Sequence, residues 1–151
     1  MSLTTPIEDR LAIHDLLPRY AWALDTGDDV AYMLLFTPDG AFIQGDVEHR
    51  GREALGTLVR ELSKHQAPGN RHHNTQILFE EGDHSYCRLR SYSTHIYEPV
   101  AGQPQVIRLQ GYYRDLCVKV DGVWYFAERA WDVWQSDRLV EYRPPARPTE
   151  P

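Results

Sequence analysis

The sequence predicts an α+β fold in which helices come first and a long antiparallel sheet follows. Apolar residues recur at helical spacing until about residue 65, and after that they alternate with a period of two. The predicted strands are long for a chain of 151 residues, so the sheet must curve or bulge in order to pack. We therefore expect helices on one face of a curved sheet.

The first helix is predicted to begin at Thr5-Pro6-Ile7-Glu8, where Thr5 can cap it and Pro6 suits the first helical position. Pro18 falls in the middle of this helix and should kink it. The helix runs out at Asp25, just before Gly27. Its apolar stripe, which should face the core, comprises Ile13, Leu16, Leu17, Tyr20 and Leu24.

Two further helices and a short strand are expected before the sheet. Asp28-Asp29 begins a short helix, which leads into Thr37-Pro-Asp-Gly40, a sequence typical of a turn. Ala41 to Gln44 then reads as a strand. Gly51 opens the third helix, and Ala67-Pro-Gly-Asn70 breaks it.

Four long strands should complete a single domain over residues 1–136. Asp121-Gly122 is a type I′ hairpin signal between the last two. The remainder, residues 137–151, contains four prolines and should form an irregular arm. The strands are predicted at about residues 72–80, 84–98, 105–119 and 123–135.

Composition limits the classes of partner. The chain has 22 acidic against 16 basic residues, which argues against nucleic acid and against an anionic membrane surface. Cys87 and Cys117 lack metal-ligand spacing, so we expect buried reduced thiols and a cytoplasmic protein. No signal peptide or membrane-spanning segment is predicted. The many tyrosines and tryptophans on the strands suggest that the outer face of the sheet packs on another copy, as a dimer or trimer.

Alternation along the strands marks polar groups that share a face with apolar ones. His95 lies at the polar end of a face that begins with Cys87 and Leu89, a gradient that suits a pocket wall. In the last strand, Arg129 shares a face with Tyr125 and Trp131. An arginine there needs either a structural salt bridge or a ligand, and the sequence leaves both open.

Asp25 admits two interpretations from local sequence: a solvated residue at a helix end, or a carboxylate over which the later strands close. Five motifs found in order along the chain favour the second. Tyr20-x4-Asp25-x-Gly27-Asp28 comes first, and Phe36-Thr-Pro-Asp39-Gly and Gly51-Arg-Glu follow. Next is Arg71-His72-His73-Asn-Thr-Gln76, and the last is Asp121-Gly-Val-Trp124-Tyr-Phe with Arg129.

These motifs resemble those of the SnoaL-like members of the nuclear-transport-factor-2-like superfamily over about residues 5 to 136. The resemblance implies a cone-shaped, curved mixed sheet wrapped around a cavity and closed by about three N-terminal helices. Within that superfamily the chain is most similar to scytalone dehydratase, hexachlorocyclohexane dehydrochlorinase and bile-acid dehydratases. Those enzymes eliminate water or chloride with an aspartate–histidine dyad and no cofactor.

The resemblance implies roles for particular residues. Asp25 takes the place of the dyad carboxylate, Tyr20 lines the pocket near it, Arg129 matches a cavity arginine, and His95 resembles a second histidine. The family pattern His-x-x-x-Asn selects His72 as the dyad base, with Gln76 in place of Asn. The substrate pocket would further include His73, His95, Trp22, Tyr125 and Trp131.

The choice of dyad histidine is open at this level. Strict alternation with the apolar Ile77 and Phe79 selects His73 instead of His72, and a bulge before Gln76 would reconcile the two. A zinc site could use the same histidines, but the spacing is not that of a zinc motif and no metal is expected.

The function expected from the resemblance is a cofactor-independent lyase, of dehydratase type, for a small hydrophobic or cyclic compound. An isomerase or polyketide cyclase with the same dyad is the first alternative. A non-catalytic binding or assembly module, such as the small subunit of a ring-hydroxylating dioxygenase, is the second.

Overall fold

A computed structural model of the chain describes residues 2–65 and 69–133. The predicted C-terminal arm, residues 137–151, lies outside this range, as do the end of the last predicted strand and part of the break after the third helix. The described elements are three helices, α1 (Ile7–Thr26), α2 (Asp29–Leu34) and α3 (Arg52–His65), and six strands, β1 (Phe36–Gln44), β2 (Val47–Arg50), β3 (Arg71–Gly82), β4 (Tyr86–Tyr97), β5 (Val106–Val120) and β6 (Val123–Val133).

The six strands form one mixed sheet in the order β2-β1-β6-β5-β4-β3. β1 and β6 run parallel, and the other neighbours are antiparallel. The sheet is curved and does not close; α1 packs against β3 and β6, while α3 packs on α2 and β1. The predicted α+β class with N-terminal helices is confirmed.

The core between α1 and the sheet is strongly aromatic. The ring of Tyr20 lies 5.0 Å from that of Tyr32 and meets Tyr113 and Phe126 edge-on at 5.8 and 6.1 Å. All four side chains are buried. Edge-on and tilted contacts are the arrangements that aromatic rings favour, so the tyrosine predicted on the apolar stripe of α1 organises this core.

Two predictions about local structure are wrong. The residue before the first turn of α1 is Pro6, and no side chain caps the helix, so Thr5 does not serve as the cap. Thr37 to Gly40 is not a separate turn but an irregular part of β1, because β1 pairs with β6 on both sides of it, at Phe36 and at Ala41. In addition, β2 was not predicted; it pairs with the end of β1.

A bulge in β6 changes which residues face the core. Leu116 is opposite Glu128 and Cys117 is opposite Phe126, so Ala127 is an extra residue in β6. Beyond the bulge the inward and outward positions exchange. Trp124 and Phe126 therefore point inward together with Arg129 and Trp131. The prediction that Tyr125 shares their face and lines the pocket is wrong, since Tyr125 lies on the opposite face.

Gly111 of β5 is placed where no side chain fits. A Cβ built there would lie 2.3 Å from the carbonyl oxygen of Asp132 and 2.9 Å from Nε1 of Trp131. We expect Gly111→Ala to lower the free energy of unfolding by about 1–3 kcal/mol, because backbone and an inward-facing indole would both have to move.

The control is the same substitution in α3. A Cβ at Gly56 meets only the ends of flexible side chains, Arg60 Nη1 at 3.2 Å and Met33 Sδ at 3.5 Å. Gly56→Ala should raise the free energy of unfolding by about 0.5–1 kcal/mol, since alanine favours the helix. Urea denaturation of both variants measures the contrast, and equal effects would contradict it.

Candidate functional site

Asp25 is held in the last turn of α1 by the way that helix ends. Gly27 adopts a left-handed conformation with φ of +71°, and the amides of Gly27 and Asp28 donate to the carbonyls of Leu24 and Ala23. This is the usual glycine-terminated helix end, in which the chain turns away and the last side chains keep their helical directions. Asp25 thereby stays directed at β3.

The Asp25 carboxylate contacts both the side chain and the main-chain amide of His72. Asp25 Oδ1 lies 2.5 Å from His72 Nδ1, and both carboxylate oxygens accept from the His72 amide at 3.1 and 3.2 Å. The two side chains are only 7% and 8% exposed. Because Nδ1–H donates to the carboxylate, Nε2 is the basic nitrogen, and no other described residue bonds to it.

A bulge in β3 decides which histidine reaches Asp25. The pairing of β3 with β4 shifts between Thr75 and Leu78, and Gln76 has φ of +46°. The side chains of His72 and Asn74 before the bulge and of Ile77 after it all reach the same groove. The structure thus brings His72, not His73, to Asp25; His73 is exposed at the rim of that groove.

His95 packs beside the dyad. Its ring meets the His72 ring at 4.0 Å and 65°, and it stacks on Trp131 at 5.6 Å. Its Nε2 lies 3.1 Å from Ser93 Oγ. Burial, and then the neighbouring His72, lower the pKa of His95 from 6.5 to about 3, so His95 is neutral at physiological pH.

Acid should therefore destabilise the protein through His95. The pKa of His95 is lower in the folded state than in the unfolded chain, so between about pH 6.5 and 3 the unfolded chain is protonated at His95 and the folded protein is not. Protonation therefore favours the unfolded chain, and the free energy of unfolding decreases as pH falls through this window. We expect the free energy of unfolding of His95→Gln, measured by urea titrations, to depend less on pH across this window than that of the wild type. A slope equal to that of the wild type would contradict the prediction.

Arg129 is completely buried, and its two terminal nitrogens donate to protein groups, whereas its Nε has no hydrogen-bond partner among the described residues. Nη1 donates to Asp115 Oδ2 at 2.7 Å, and Nη2 donates to Asn74 Oδ1 at 2.6 Å. The guanidinium carbon lies 3.6 Å from the centre of the Tyr113 ring and 4.1 Å from that of Tyr20. Arg129 therefore does not project into open space, and Tyr20, 1% exposed, also lies beneath the site rather than in it.

Sequence reasoning did not single out Asp115 or Asn74. Burial raises the pKa of Asp115 to about 6, with Arg129 acting in the opposite direction. A signal existed for each. Asp115 alternates with Tyr113 and Cys117 on an otherwise apolar face of β5, and Asn74 lies two residues from His72, on the same side of β3.

A groove of about 350 Å³ opens between α1 and β3 at the dyad. Trp22 stands at its rim with 71% of its surface exposed, so it borders the groove and does not line an interior pocket. The groove is lined by His14, Leu17, Pro18, Ala21, Trp22, Asp25, Arg71, His72, His73, Asn74 and Ile77.

Within the described ranges, no group of three or more histidine, cysteine, aspartate or glutamate side chains is arranged to hold a metal ion. Both cysteines are free and buried. None of the described helices is long and apolar enough to cross a membrane.

An open mixed sheet with three helices before its long strands is the cystatin-like fold of the nuclear-transport-factor-2-like proteins. A family model for the SnoaL-like domain matches residues 5–130, and the chain belongs to that family. A search among curated proteins matches none of them.

Several solved structures are similar over most of the chain. One, of unknown function, from Nostoc punctiforme is 26% identical, with 90% of this chain and 97% of that chain covered and a TM-score of 0.77. Another of unknown function, from Mycobacterium tuberculosis, is 29% identical, covering 88% and 79%, with a TM-score of 0.77. A third, provisionally named a scytalone dehydratase, from Novosphingobium aromaticivorans is 25% identical, covering 95% and 97%, with a TM-score of 0.73.

Proposed function

We propose that this protein is a cofactor-independent lyase that eliminates water from a small, partly hydrophobic, cyclic compound. The single observation that carries the proposal is the buried contact of Asp25 Oδ1 with His72 Nδ1, which leaves Nε2 as a base. The family membership and the similarity to a provisionally named scytalone dehydratase support the same class of reaction.

In the proposed reaction, His72 Nε2 removes a proton from a carbon next to an activating group. The imidazolium that forms is stabilised by Asp25, whose carboxylate accepts from Nδ1–H. The electron pair of the broken C–H bond forms the new double bond, and the C–O bond on the next carbon breaks. The departing oxygen receives the proton from Nε2–H, so water leaves and His72 returns to its neutral form.

The surroundings of His72 suit this task. Its side chain and that of Asp25 are almost completely shielded from water, so the hydrogen bond between them is stronger than it would be in solvent. His95 is neutral, and therefore adds no positive charge beside the imidazolium that forms on His72. The groove beside them offers apolar contacts from Leu17, Ala21 and Ile77 to a ring.

The test is an assay for C–H exchange and loss of water, which does not require the natural substrate. The wild type is incubated in D₂O with a panel of hydroxylated cyclic ketones, and NMR and mass spectrometry follow C–H exchange and loss of water. Exchange together with loss of water supports the lyase. Compounds that bind with neither exchange nor loss of water would overturn it in favour of a non-catalytic binding module.

A different outcome separates the alternative enzyme class. The same dyad can return the proton to another carbon, and exchange accompanied by a shifted double bond or a new ring, without loss of mass, would identify an isomerase or cyclase. A non-catalytic assembly module would be expected to have lost the dyad residues. The shielded contact of Asp25 with His72 therefore favours a lyase or an isomerase over such a module.

A further inference from the structure

Asn74 lines the same groove as Asp25 and His72, two residues further along β3. Its side chain is an amide, with one oxygen that accepts and one nitrogen that donates two hydrogens. Which of these atoms faces the groove determines whether the site offers a donor or an acceptor to a bound molecule.

The orientation of the amide is fixed by chemistry. Arg129 has five N–H donors and no acceptor, so the Asn74 atom that lies 2.6 Å from Arg129 Nη2 must be the oxygen. Arg129 itself is immobilised by Asp115 and by the rings of Tyr20 and Tyr113. The nitrogen Nδ2 is therefore on the other side of the amide, and no described residue accepts from it.

A charged donor on the carbonyl side also strengthens Nδ2–H as a donor. Arg129 withdraws electron density from Asn74 Oδ1, and the amide transmits that polarisation to its nitrogen. Asn74 and His72 line the same groove. A polarised N–H donor that shares a site with a base is suited to stabilise an oxygen on which negative charge develops.

We propose that Asn74 Nδ2 binds the carbonyl oxygen of the substrate and stabilises the enolate that forms when His72 removes the neighbouring proton. The substrate class is thereby narrowed to compounds with a ketone or ester carbonyl next to the C–H that reacts. This inference rests on the proposed function for the role of His72. The binding of a carbonyl by Asn74 can nevertheless be tested without catalysis.

The experiment compares two neutral ligands of the same shape, α-tetralone and its analogue in which a methylene group replaces the carbonyl oxygen. Dissociation constants are measured by ligand-observed NMR at about pH 8, where an added carboxylate is ionised. The wild type should bind the ketone about five- to tenfold more tightly than the methylene analogue, which is the usual effect of one hydrogen bond.

Asn74→Asp is the informative variant because it keeps an oxygen for Arg129 but replaces the donor with an acceptor. It should retain the melting temperature of the wild type and lose the preference for the ketone. Asn74→Ala should also lose the preference, and in addition its melting temperature should fall, because Arg129 Nη2 is then left without a partner. Thr75→Ala, at the neighbouring exposed position of β3, is the matched control and should keep both.

Two results would overturn the inference: a wild type that does not prefer the ketone, or an Asn74→Asp variant that still does. Failure of the proposed function has a different signature. If no C–H exchange occurs but the ketone preference depends on Asn74, the donor is correctly assigned and the lyase is not.

Discussion

Asp25→Asn should lower the rate of C–H exchange and water loss by about 10²–10⁴-fold, the range expected when a general base is disabled. An amide at this position can present its NH₂ group to His72 Nδ1, which then becomes the acceptor. The proton moves to Nε2, and the nitrogen that should act as the base carries a hydrogen. The fold should survive, because the amide oxygen can still accept from the His72 main-chain N–H.

The dyad also predicts how two substitutions combine. If Asp25 acts only through His72, then His72→Gln should cost at least as much activity as Asp25→Asn, and the double variant should be no worse than His72→Gln alone. Asp15→Asn is the matched control, because Asp15 lies on the same helix in an exposed ion pair with Arg19. Multiplied effects in the double variant, or an active Asp25→Asn, would contradict the mechanism.

Arg129→Met should lower the free energy of unfolding by about 3–5 kcal/mol, the usual effect of removing one partner from a buried ion pair. Asp115 would be left in the core without its cation, and Asn74 without its donor. Arg114→Met is the matched control. Arg114 also donates to a carboxylate at 2.9 Å, that of Asp132, but its side chain is 55% exposed, and its loss should cost less than about 1 kcal/mol.

The loss in Arg129→Met should grow with pH. The folded-state pKa of Asp115 is about 6 even with Arg129 present, above the ordinary value of 3.8. Without the cation it rises further, so the variant is most stable where Asp115 is protonated and loses stability as pH rises through the folded-state pKa. Urea titrations at about pH 5 and pH 8 compare the two regimes. A loss that is greater at the lower pH would contradict this prediction.

The double variant Arg129→Met/Asp115→Leu should recover much of the stability, because apolar side chains of similar volume often replace a buried pair without loss. If it is as unstable as Arg129→Met, then packing around Tyr20 and Tyr113, and not charge, explains the single-variant result. Comparison of the single and double variants therefore separates the contribution of charge from that of packing.

The sequence predicted most helices and strands correctly, but it predicted which side chains of each strand face the core less consistently. In β4 the alternation of Cys87, Leu89, Ser91 and Ser93 holds, because β4 pairs regularly with β5 through this stretch. In β6 it fails at Ala127, where one inserted residue exchanges the faces and moves Tyr125 outward. Period-two reasoning carries no information about where a bulge falls, since a bulge depends on how two strands pair.

Partnerships were less predictable than positions. Arg129 was recognised as an arginine on an apolar face, but its partners lie on two other strands. Asp115 is 14 residues away on the adjacent β5, and Asn74 is 55 residues away on β3. Local spacing cannot select one of 22 acidic residues for such a pairing. The choice between His72 and His73 likewise depended on the bulge at Gln76. That bulge becomes visible only when β3 is paired with β4.

The bond from the His72 amide to Asp25 has a consequence beyond chemistry. β3 is one of the two edge strands of the described sheet, and an edge strand presents amides that another chain could pair with. Asp25 occupies one of those amides with a negative charge, which would repel an incoming strand. The carboxylate that orients the proposed base therefore also blocks one position at which a second chain could extend the sheet.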